Sequence, residues 1–333
     1  MTQSSPAYRS RIVLCRQRSA ARIAAQGWAA FMRYMTTIRY IDAVARAGSI
    51  RRAAEVLAIT STALNRRILA IEEDLGAPIF ERLPRGVRLN SAGEIFIHHI
   101  RNQISDMERV RAQIADLTGE RRGHVAIACS QALLPYFLPE QINLYRGEHP
   151  GVTFGVHLRD RAAAEQALVD HTADLAIVFE PVRMAEFQTL LRVRQQLHAV
   201  FASDHPLAGA ASVRLRECLE FPVAMPTIPY GVRHLLEVAL QGSTLEARPA
   251  IESDSFEFLR SYAGADGMVS FQIPIGLPAP ADGASFVSAP IDPRDVPLGI
   301  LYMGQLRNRA LPIAAAKFAA GISIALADRY DLC

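Results

Sequence analysis

The chain has 333 residues, a net charge of +3 and a hydrophobic fraction of 50%. That total charge is unremarkable for a soluble protein. Its four cysteines lie far apart, which argues against a disulfide scaffold and suits a reducing compartment. The closest approach to a membrane span, residues 313–326, is interrupted by Lys317 and is shorter than the ~20 residues that a bilayer requires. We therefore expect no membrane segment.

Positive charge is concentrated at the N-terminal end. The first 90 residues contain fifteen Arg, no Lys and six acidic residues, a net charge of +9, so the rest of the chain carries −6. Much of this charge precedes Met35, and no acidic residue occurs before Asp42. We interpret residues 1–35 as an arginine-rich extension that is disordered or not native. An organellar transit peptide, a disordered DNA-binding arm and a natural start at Met32 or Met35 remain open.

Residues 36–90 show the spacing of a helix-turn-helix. Ile38, Ile41 and Val44 recur three residues apart, which predicts a first helix with one apolar face. Ser49 follows a break in this pattern and can cap a short second helix. The inward-facing positions of that second helix include two alanines, which would allow a neighbouring helix to approach closely.

The third helix is the candidate reader of DNA sequence. Its apolar stripe from Ala63 to Ile71 leaves a polar face on the opposite side. Arginine can pair with guanine and asparagine with adenine, while serine and threonine reach phosphates or base edges. The candidate DNA contacts in the second and third helices are Arg51, Arg52, Ser61, Thr62, Asn65, Arg66 and Arg67.

A basic wing follows, in which Phe80 is a predicted core anchor. Arg82, Arg85 and Arg88 flank a turn at Pro84 and are predicted to contact phosphates or a minor groove. The alternative is a solvated basic loop, because exposed arginines are ordinary. Since each phosphate contact releases condensed counterions, log affinity should fall by about 0.9 per contact against log salt.

A long helix is predicted to begin after the wing. Residues 91–94 read Ser-Ala-Gly-Glu, which fits a capping box with the Ser91 side chain accepting from a free amide. Through residue 117 the helix would span roughly 40 Å at ~1.5 Å per residue. Its apolar stripe consists of Ile97, Ile100, Ile104, Met107, Ile114 and Leu117. Such a stripe needs a partner helix, so residues 91–118 are the predicted dimerisation helix, with packing on its own chain as the alternative.

Together these segments resemble the LysR-type transcriptional regulator family. The resemblance is carried by Ala-Gly-Ser at 47–49, Ala-Ala-Glu-Val-Leu at 53–57, Ile-Glu-Glu-Asp-Leu-Gly-Ala-Pro-Ile-Phe-Glu-Arg at 71–82 and Leu-Asn-Ser-Ala-Gly-Glu at 89–94. It implies a winged helix-turn-helix at residues 36–90, antiparallel pairing of linker helices 91–118 from two chains, and a two-lobed effector domain like periplasmic solute-binding proteins. The family normally opens its recognition helix with Ser-Gln and places a serine before the next arginine. Here Thr60-Ser61 and Asn65 stand instead, which leaves the base preference open.

A polar hinge at residues 118–123 marks a domain boundary, after which strands and helices alternate. Apolar runs of four to six residues between amphipathic helices predict mostly parallel sheets. A break in the pattern separates two α/β lobes. We predict an effector-binding domain at residues 123–328, with lobe I at about 123–192 and 298–328 and lobe II at about 193–297.

Polar residues at the carboxyl ends of the predicted strands indicate a ligand pocket, because helix N-termini at those ends offer free amides. The candidate effector contacts are Ser130, Gln131, Thr227, Tyr230, Ser253 and Ser255. Hydroxyls and amides facing a cleft fit a small organic anion. Arg159 and Arg233 could neutralise it, or could be surface arginines, and Ser130 and Ser255 could equally be helix caps.

No catalytic or metal-binding motif stands out. The sequence has no phosphate-binding loop, nucleophile elbow, His-Glu-x-x-His pair or Cys-x-x-Cys. The nine histidines are dispersed, so we predict no metal, no cofactor and no enzymatic activity. Cys129 lies at the end of a predicted strand and could be a thiol sensor or a small buried hydrophobic residue.

From this resemblance the chain is identified as a cytoplasmic DNA-binding regulator of the LysR type. Its expected partners are double-stranded promoter DNA and a small organic effector bound between the lobes. We expect a homodimer through residues 91–118 that assembles into a homotetramer. A two-lobed small-molecule-binding protein and an architectural DNA-binding protein without effector response stay open as alternatives, because a fold does not fix its ligand.

Overall fold

The computed structural model describes residues 34–117, 123–182, 184–263, 267–279 and 285–330. Nearly all of the predicted arginine-rich extension and most of the predicted polar hinge lie outside these residues. The chain divides into two units, Met1–Met107 and Glu108–Cys333. The first holds the helix-turn-helix and the second holds the α/β lobes.

The predicted helix-turn-helix is confirmed. Its helices are α1 at residues 34–47, α2 at Ile50–Val56 and α3 at Ser61–Leu75. As predicted, the Ser49 side chain accepts a hydrogen bond from the backbone N–H of Arg52. Thr60 does the same for the N–H of Ala63. Both caps satisfy helix N–H groups that would otherwise have no partner.

The core of this unit joins the apolar faces of the three helices. Ile38 and Ile41 of α1 and Leu64 of α3 are fully buried, and each buried aliphatic side chain of this kind contributes about 1.5–3 kcal/mol. Ala53 of α2 is buried among them, as its small size predicted. Phe80 also joins this core, so its predicted role as an anchor is confirmed.

A two-stranded antiparallel wing follows, with β1 at Phe80–Leu83 and β2 at Gly86–Leu89. The N–H of Val87 donates to the carbonyl of Gly48, 3.0 Å away, and so attaches the wing to the turn between α1 and α2. Gly86 has φ +144°, and a methyl group there would lie 2.3 Å from the Gly48 carbonyl oxygen. Only glycine permits this close approach.

Helix α4 spans Ser91–Leu117, as predicted, but its cap differs from the prediction. The side-chain oxygen of Asn90 accepts from the N–H of Gly93 at 2.8 Å, while its side-chain nitrogen donates to the carbonyl of Pro78. Asn90 therefore caps the helix one residue before the predicted Ser91. An amide can serve both neighbours at once because it carries a donor and an acceptor.

The apolar stripe of α4 is used within its own unit over its first half. Ile97 and Ile100 are buried in the core of the helix-turn-helix, and Ile104 and Met107 pack against it. An ion pair of 2.7 Å between Arg101 of α4 and Asp42 of α1 lies beside this contact. For these four residues the alternative of packing on their own chain therefore holds, because the core of the helix-turn-helix already covers them.

The second unit contains two lobes, each with one five-stranded sheet. The strands of the first lobe are β3 Gly123–Cys129, β4 Val152–Leu158, β5 Leu175–Phe179, β6 Phe187–Gln195 and β12 Gly299–Leu306, in the order β4-β3-β5-β12-β6. Its helices are α5 Phe137–Glu148, α6 Ala163–Val169 and α10 Ile313–Tyr330. All five residues of β5 are buried, since helices cover both faces of this central strand.

The second lobe follows the same plan. Its strands are β7 His198–Ala202, β8 Val223–Pro226, β9 Pro249–Ser253, β10 Val269–Gln272 and β11 Phe286–Pro290, in the order β11-β7-β10-β8-β9. Its helices are α7 Leu215–Cys218, α8 Gly231–Gln241 and α9 Phe256–Ala263. Short 3₁₀ turns at Gln131–Leu133 and Pro274–Gly276 follow β3 and β10.

Both sheets are mostly parallel, as predicted, because in each of them four of the five strands run in one direction and a single strand runs against them. In the first lobe β12 runs antiparallel to β5 and β6, and in the second lobe β7 runs antiparallel to β10 and β11. Both β7 and β12 follow a crossing of the chain from the other lobe, so they enter their sheets from the opposite end. The boundary predicted after residue 192 falls within β6, which continues in the first sheet to Gln195.

The two lobes make a tight contact where α8 begins. A methyl group on Gly231 would lie 2.3 Å from the carbonyl oxygen of Phe179, at the end of β5. A methyl group on Gly299, the first residue of β12, would lie 2.2 Å from the Phe179 ring. Both glycines are therefore required by the space around Phe179.

We predict that His198, at the start of β7, makes folding stability depend on pH. Burial lowers the pKa of its imidazole from 6.5 to about 4. In the unfolded chain the imidazole is therefore protonated as the pH falls below about 6.5, whereas in the folded chain it stays neutral down to about pH 4. The free energy of unfolding therefore decreases as the pH drops from 6.5 towards 4. Between pH 7.5 and pH 5 the loss should reach up to about 2 kcal/mol, at 1.36 kcal/mol per pKa unit.

Urea unfolding at both pH values would measure this loss in the parent chain and in His198→Gln, which should lose that part of the dependence. His234→Gln, on α8, is the matched control and should keep it. An unchanged pH dependence in His198→Gln would show that the imidazole is not shielded from water.

Candidate nucleic-acid interface and interlobe cavity

The outer face of α3 carries the polar side chains predicted to read DNA. Ser61, Thr62, Arg66 and Arg67 are exposed, whereas Asn65 is partly buried. The opposite face packs into the core, so α3 is held rigidly with its polar side outward. This is the presentation that a helix needs in order to enter a major groove.

Asn65 connects α3 to the wing. Its side-chain oxygen accepts a hydrogen bond from the guanidinium of Arg82, at 2.9 Å. The wing is also joined to α3 through Glu72, whose carboxylate accepts from the N–H of Ile79 at 2.8 Å. The two elements that would contact DNA are therefore fixed to each other by side chains that sequence spacing did not pair.

The candidate arginines differ in their partners. Arg51 pairs with Glu55 at 3.2 Å and Arg88 with Glu81 at 2.7 Å, both in exposed positions. The guanidinium of Arg67 stacks 4.9 Å from the centre of the Tyr40 ring. By contrast, within the described part of the chain Arg52, Arg66 and Arg85 are exposed and have no acidic partner. The last three are the most available for phosphates.

A cavity of about 260 Å³ lies between the two lobes. The first lobe contributes Gln131, Leu134 and Pro135, and the second contributes Phe256, Glu257, Arg260, Gln272 and Gly276. The cavity therefore lies where the segment after β3 faces the first turns of α9 and the end of β10. Of the residues predicted to bind an effector, Gln131 lines it.

Gln131 links the lobes through both atoms of its side-chain amide. Its oxygen accepts from the N–H of Phe256 at 2.9 Å, and its nitrogen donates to the carbonyl of Asp254. The first of these bonds satisfies a free N–H at the start of α9. The glutamine thus holds the first lobe against the N-terminus of a helix in the second.

Arg260 supplies a positive charge to the cavity. Its guanidinium donates to the hydroxyl of Tyr136 at 2.7 Å and pairs with Glu257. Its side chain is only 14% exposed, whereas that of Glu257 is 64% exposed. It also lies 5.4 and 5.5 Å from the ring centres of Tyr136 and Phe286. The arginine is therefore held in place, and its carboxylate partner is at the surface.

The other predicted effector contacts are close by but engaged differently. The Ser255 hydroxyl accepts from the N–H of Phe258 and so caps α9, while that of Ser253 accepts from the N–H of Ser255. The ring of Tyr230, the residue before α8, lies 5.4 Å from that of Phe256, and the N–H of Thr227 donates to the Ser253 carbonyl. Ser130 precedes the first 3₁₀ turn and does not cap it with its side chain.

Neither arginine considered for an anion lies at the cavity. Arg233 is largely but not fully buried and is paired with both Glu237 and Glu252, so its charge is already neutralised. Arg159 donates from its guanidinium to the neighbouring carbonyl of Leu158 at 2.8 Å. The charge that reaches the cavity comes instead from Arg260, which sequence reasoning missed.

Gln272 was missed as well as Arg260, and of these two only Gln272 carried a signal. Gln272 is a buried polar residue at the carboxyl end of β10. Gln131 was predicted because it follows the carboxyl end of β3, so the same criterion could have identified Gln272. Arg260 gave no such signal, since it lies in the middle of an amphipathic helix where a charged residue normally faces solvent.

Two family models match the chain and together cover most of it. The LysR substrate binding domain matches residues 118–323, and the bacterial regulatory helix-turn-helix protein of the lysR family matches residues 35–94. The chain belongs to the LysR family of transcriptional regulators. The resemblance found in the sequence is thereby confirmed, as is the expectation of a regulator and not an enzyme.

Curated LysR relatives include two proteins named as RuBisCO transcriptional regulators. The chain is 28% identical over 200 residues to the RuBisCO operon transcriptional regulator of Allochromatium vinosum, covering 60% of this chain and 66% of that protein, just under two thirds of its length. It is 23% identical over 278 residues to the probable RuBisCO transcriptional regulator of a Synechocystis strain, covering 81% and 76% of the two chains.

Solved structures share the fold of this LysR regulator. A full-length OxyR variant from Pseudomonas aeruginosa superposes with a TM-score of 0.67 at 19% identity, covering 88% of this chain and 94% of that one. The effector binding domain of QuiR in complex with shikimate gives 0.53 at 16% identity, covering 63% and 100%. Among the residues that the structure describes, no helix combines the length and the apolar character needed to cross a membrane.

The described cysteines and acidic residues form no obvious reactive or metal centre. Burial raises the pKa of both Cys129 and Cys218 to about 12, which disfavours the reactive thiolate. In the described ranges no group of three or more His, Cys, Asp or Glu side chains is placed to hold a metal ion. Of the two interpretations of Cys129, burial favours the small hydrophobic residue.

We predict that both buried thiols react slowly in the native regulator. With a pKa of about 12, only about one thiol in ten thousand is ionised at pH 8. In a chain carrying Cys15→Ser and Cys333→Ser, a chromogenic disulfide reagent should find almost no reactive thiol within minutes. Both should react in guanidinium chloride. Rapid native reaction that disappears in Cys129→Ala would instead support the thiol-sensor interpretation.

Proposed function

We propose that this LysR regulator binds promoter DNA by placing α3 in a major groove, with the wing on the adjacent backbone. The observation that carries the proposal is the Asn65–Arg82 hydrogen bond, which holds the reading helix and the basic wing as one surface. Ser61, Thr62 and Arg66 are exposed on that surface and face bases or phosphates. Arg85, at the tip of the wing, supplies phosphate contact.

Dimerisation through α4 would place two copies of the DNA-binding surface, formed by α3 and the wing, on a two-fold-related DNA site. The first half of the α4 stripe packs into the core of the helix-turn-helix, so within that half the pairing surface must use other faces of the helix. Ile95 and Val110 are the large apolar α4 residues that remain exposed in the described part of the chain, at 75% and 42%. Two antiparallel α4 helices would place two winged motifs on one duplex, and pairing of such dimers would give the homotetramer.

Asn65→Ala and Arg85→Ala should weaken DNA binding in different ways. Loss of Asn65 removes a base contact and also releases Arg82, so specific sites should lose about 1–3 kcal/mol while random DNA changes little. Loss of Arg85 should weaken all sequences alike and reduce the salt slope by about one. The measurement is fluorescence anisotropy across a salt series, on a duplex selected from genomic fragments and on a scrambled duplex.

The outcome that contradicts this assignment is an equal effect of both substitutions on scrambled DNA. Failure to select any two-fold-related duplex, even at low salt, would reject promoter binding by α3 altogether. In that case the two-lobed small-molecule-binding alternative would stand.

The same proposal assigns the interlobe cavity to a small organic effector that carries a carboxylate. Arg260 is the fixed cation, because Tyr136 orients it and little of it is exposed, while the exposed Glu257 can turn away. A carboxylate of the effector would take the place of the Glu257 carboxylate. Charge-assisted bonds to arginine in a shielded site are the stronger kind, and Gln131 beside it offers both a donor and an acceptor.

Arg260→Gln should weaken carboxylate binding at least tenfold, since one charge-assisted bond contributes about 1.5–3 kcal/mol. A panel of mono- and dicarboxylic acids and their amides, scored by the rise in melting temperature, would identify the ligand and then compare variants. Arg248→Gln is the matched control, because Arg248 is an exposed arginine of the same lobe that pairs with Glu246. If the amides stabilise the chain as well as the acids, or if Arg260→Gln binds as tightly as the parent, the effector is not held by its charge.

A further inference from the structure

Two histidines of the first lobe converge on one glycine, away from the cavity and the DNA surface. His124 lies on β3 and His157 on β4, the edge strand of the sheet. These strands are parallel, with His124 opposite Thr153 and Gly155 opposite Ala126, so both histidines project from the same face as Gly155. Both are exposed.

The ring of His124 is oriented by a hydroxyl. Its Nδ1 lies 2.9 Å from Oγ1 of Thr153, and that hydroxyl donates its own proton to the carbonyl of Gly123, at 3.3 Å. Since the hydroxyl proton is already used, Nδ1 must be the donor to Oγ1. The neutral imidazole then carries its lone pair on Nε2.

The free nitrogen atoms of both rings approach the same point. A methyl group built on Gly155 would lie 3.1 Å from Nε2 of His124 and 3.2 Å from Nε2 of His157. The absence of a side chain at Gly155 therefore leaves a space bounded by two imidazole nitrogens. A side chain at this position would occupy the same space.

We propose that His124 and His157 form a binding site for a divalent transition-metal ion such as Ni²⁺, Cu²⁺ or Zn²⁺. Neutral imidazole Nε2 is a preferred ligand of these borderline metals, and a hydrogen bond from Nδ1 to a neighbouring oxygen is the usual support of a ligating histidine. Two protein ligands leave the remaining coordination positions to water. The bound ion would join the edge strand β4 to β3.

The test is calorimetric titration of the full chain, carrying no histidine tag, with NiCl₂ and CuCl₂ separately. We expect one ion per chain, and at least a tenfold loss of affinity in His124→Gln and in His157→Gln. Thr153→Val, which removes only the support of His124, should weaken binding by about tenfold. Gly155→Ala should weaken it too, because its methyl group enters the space between the rings. The double variant His98→Gln/His99→Gln is the matched control and should bind as the parent does.

Coordination by His124 and His157 can also be tested by spectroscopy on the parent chain, without any substitution. The electron paramagnetic resonance spectrum of the Cu²⁺-loaded parent chain should show coupling to two imidazole nitrogens. A spectrum without nitrogen coupling, or an affinity unchanged in both single histidine variants, would overturn the proposal. So would loss of binding in the His98/His99 variant alone. None of these outcomes bears on DNA or effector binding, which are measured without metal.

Discussion

The packing around Phe179 is the constraint on which the effector unit depends. Its carbonyl oxygen lies against Gly231 at the start of α8, and its ring lies against Gly299 at the start of β12. Gly231 begins α8 of the second lobe. Gly299 begins β12, the strand with which the chain returns to the first lobe. Added side chains would have to displace backbone or a buried ring, and tightly packed interiors resist such shifts. Phe179 therefore limits how closely the start of α8, in the second lobe, can approach the first lobe.

In the DNA-binding unit, hydrogen bonds hold the wing in position against the helices. Its wing is only two short strands, and an isolated hairpin of that size is marginally stable in water. Four hydrogen bonds help to fix it: Val87 to Gly48, Ile79 and Phe80 to Glu72, and Arg82 to Asn65. The last of these uses a side chain that is also placed to read a base. Base recognition and wing position are therefore coupled, and a change at residue 65 acts on both.

Much of this architecture could be predicted from the sequence, and the exceptions share a physical cause. The helix-turn-helix, the Ser49 cap and the extent of α4 follow from spacing and local capping chemistry, which act within a few residues. The direction of β7 and β12 depends on where the chain crosses between lobes, which no local pattern encodes. Strands β6 and β11 alternate buried and exposed residues only irregularly. Strand β9 alternates regularly but has no fully buried residue, so none of the three gave a clear apolar signal. Likewise, Ile97 and Ile100 show a stripe, but the sequence does not say whether α1 or a second chain covers it.

The cavity illustrates why the site was harder to predict than the fold. Strand ends identified Gln131, because its position follows from the topology of a parallel sheet. Arg260 reaches the cavity only because α9 lies across the cleft from Tyr136, a juxtaposition of residues 124 positions apart. That arrangement has a consequence for regulation. Gln131 of the first lobe bonds the start of α9 in the second, so an effector at Arg260 would bind residues from both lobes. Such a ligand would favour the arrangement in which both lobes line the cavity over one in which they are apart, and it could shift that equilibrium only by the difference in its affinity for the two.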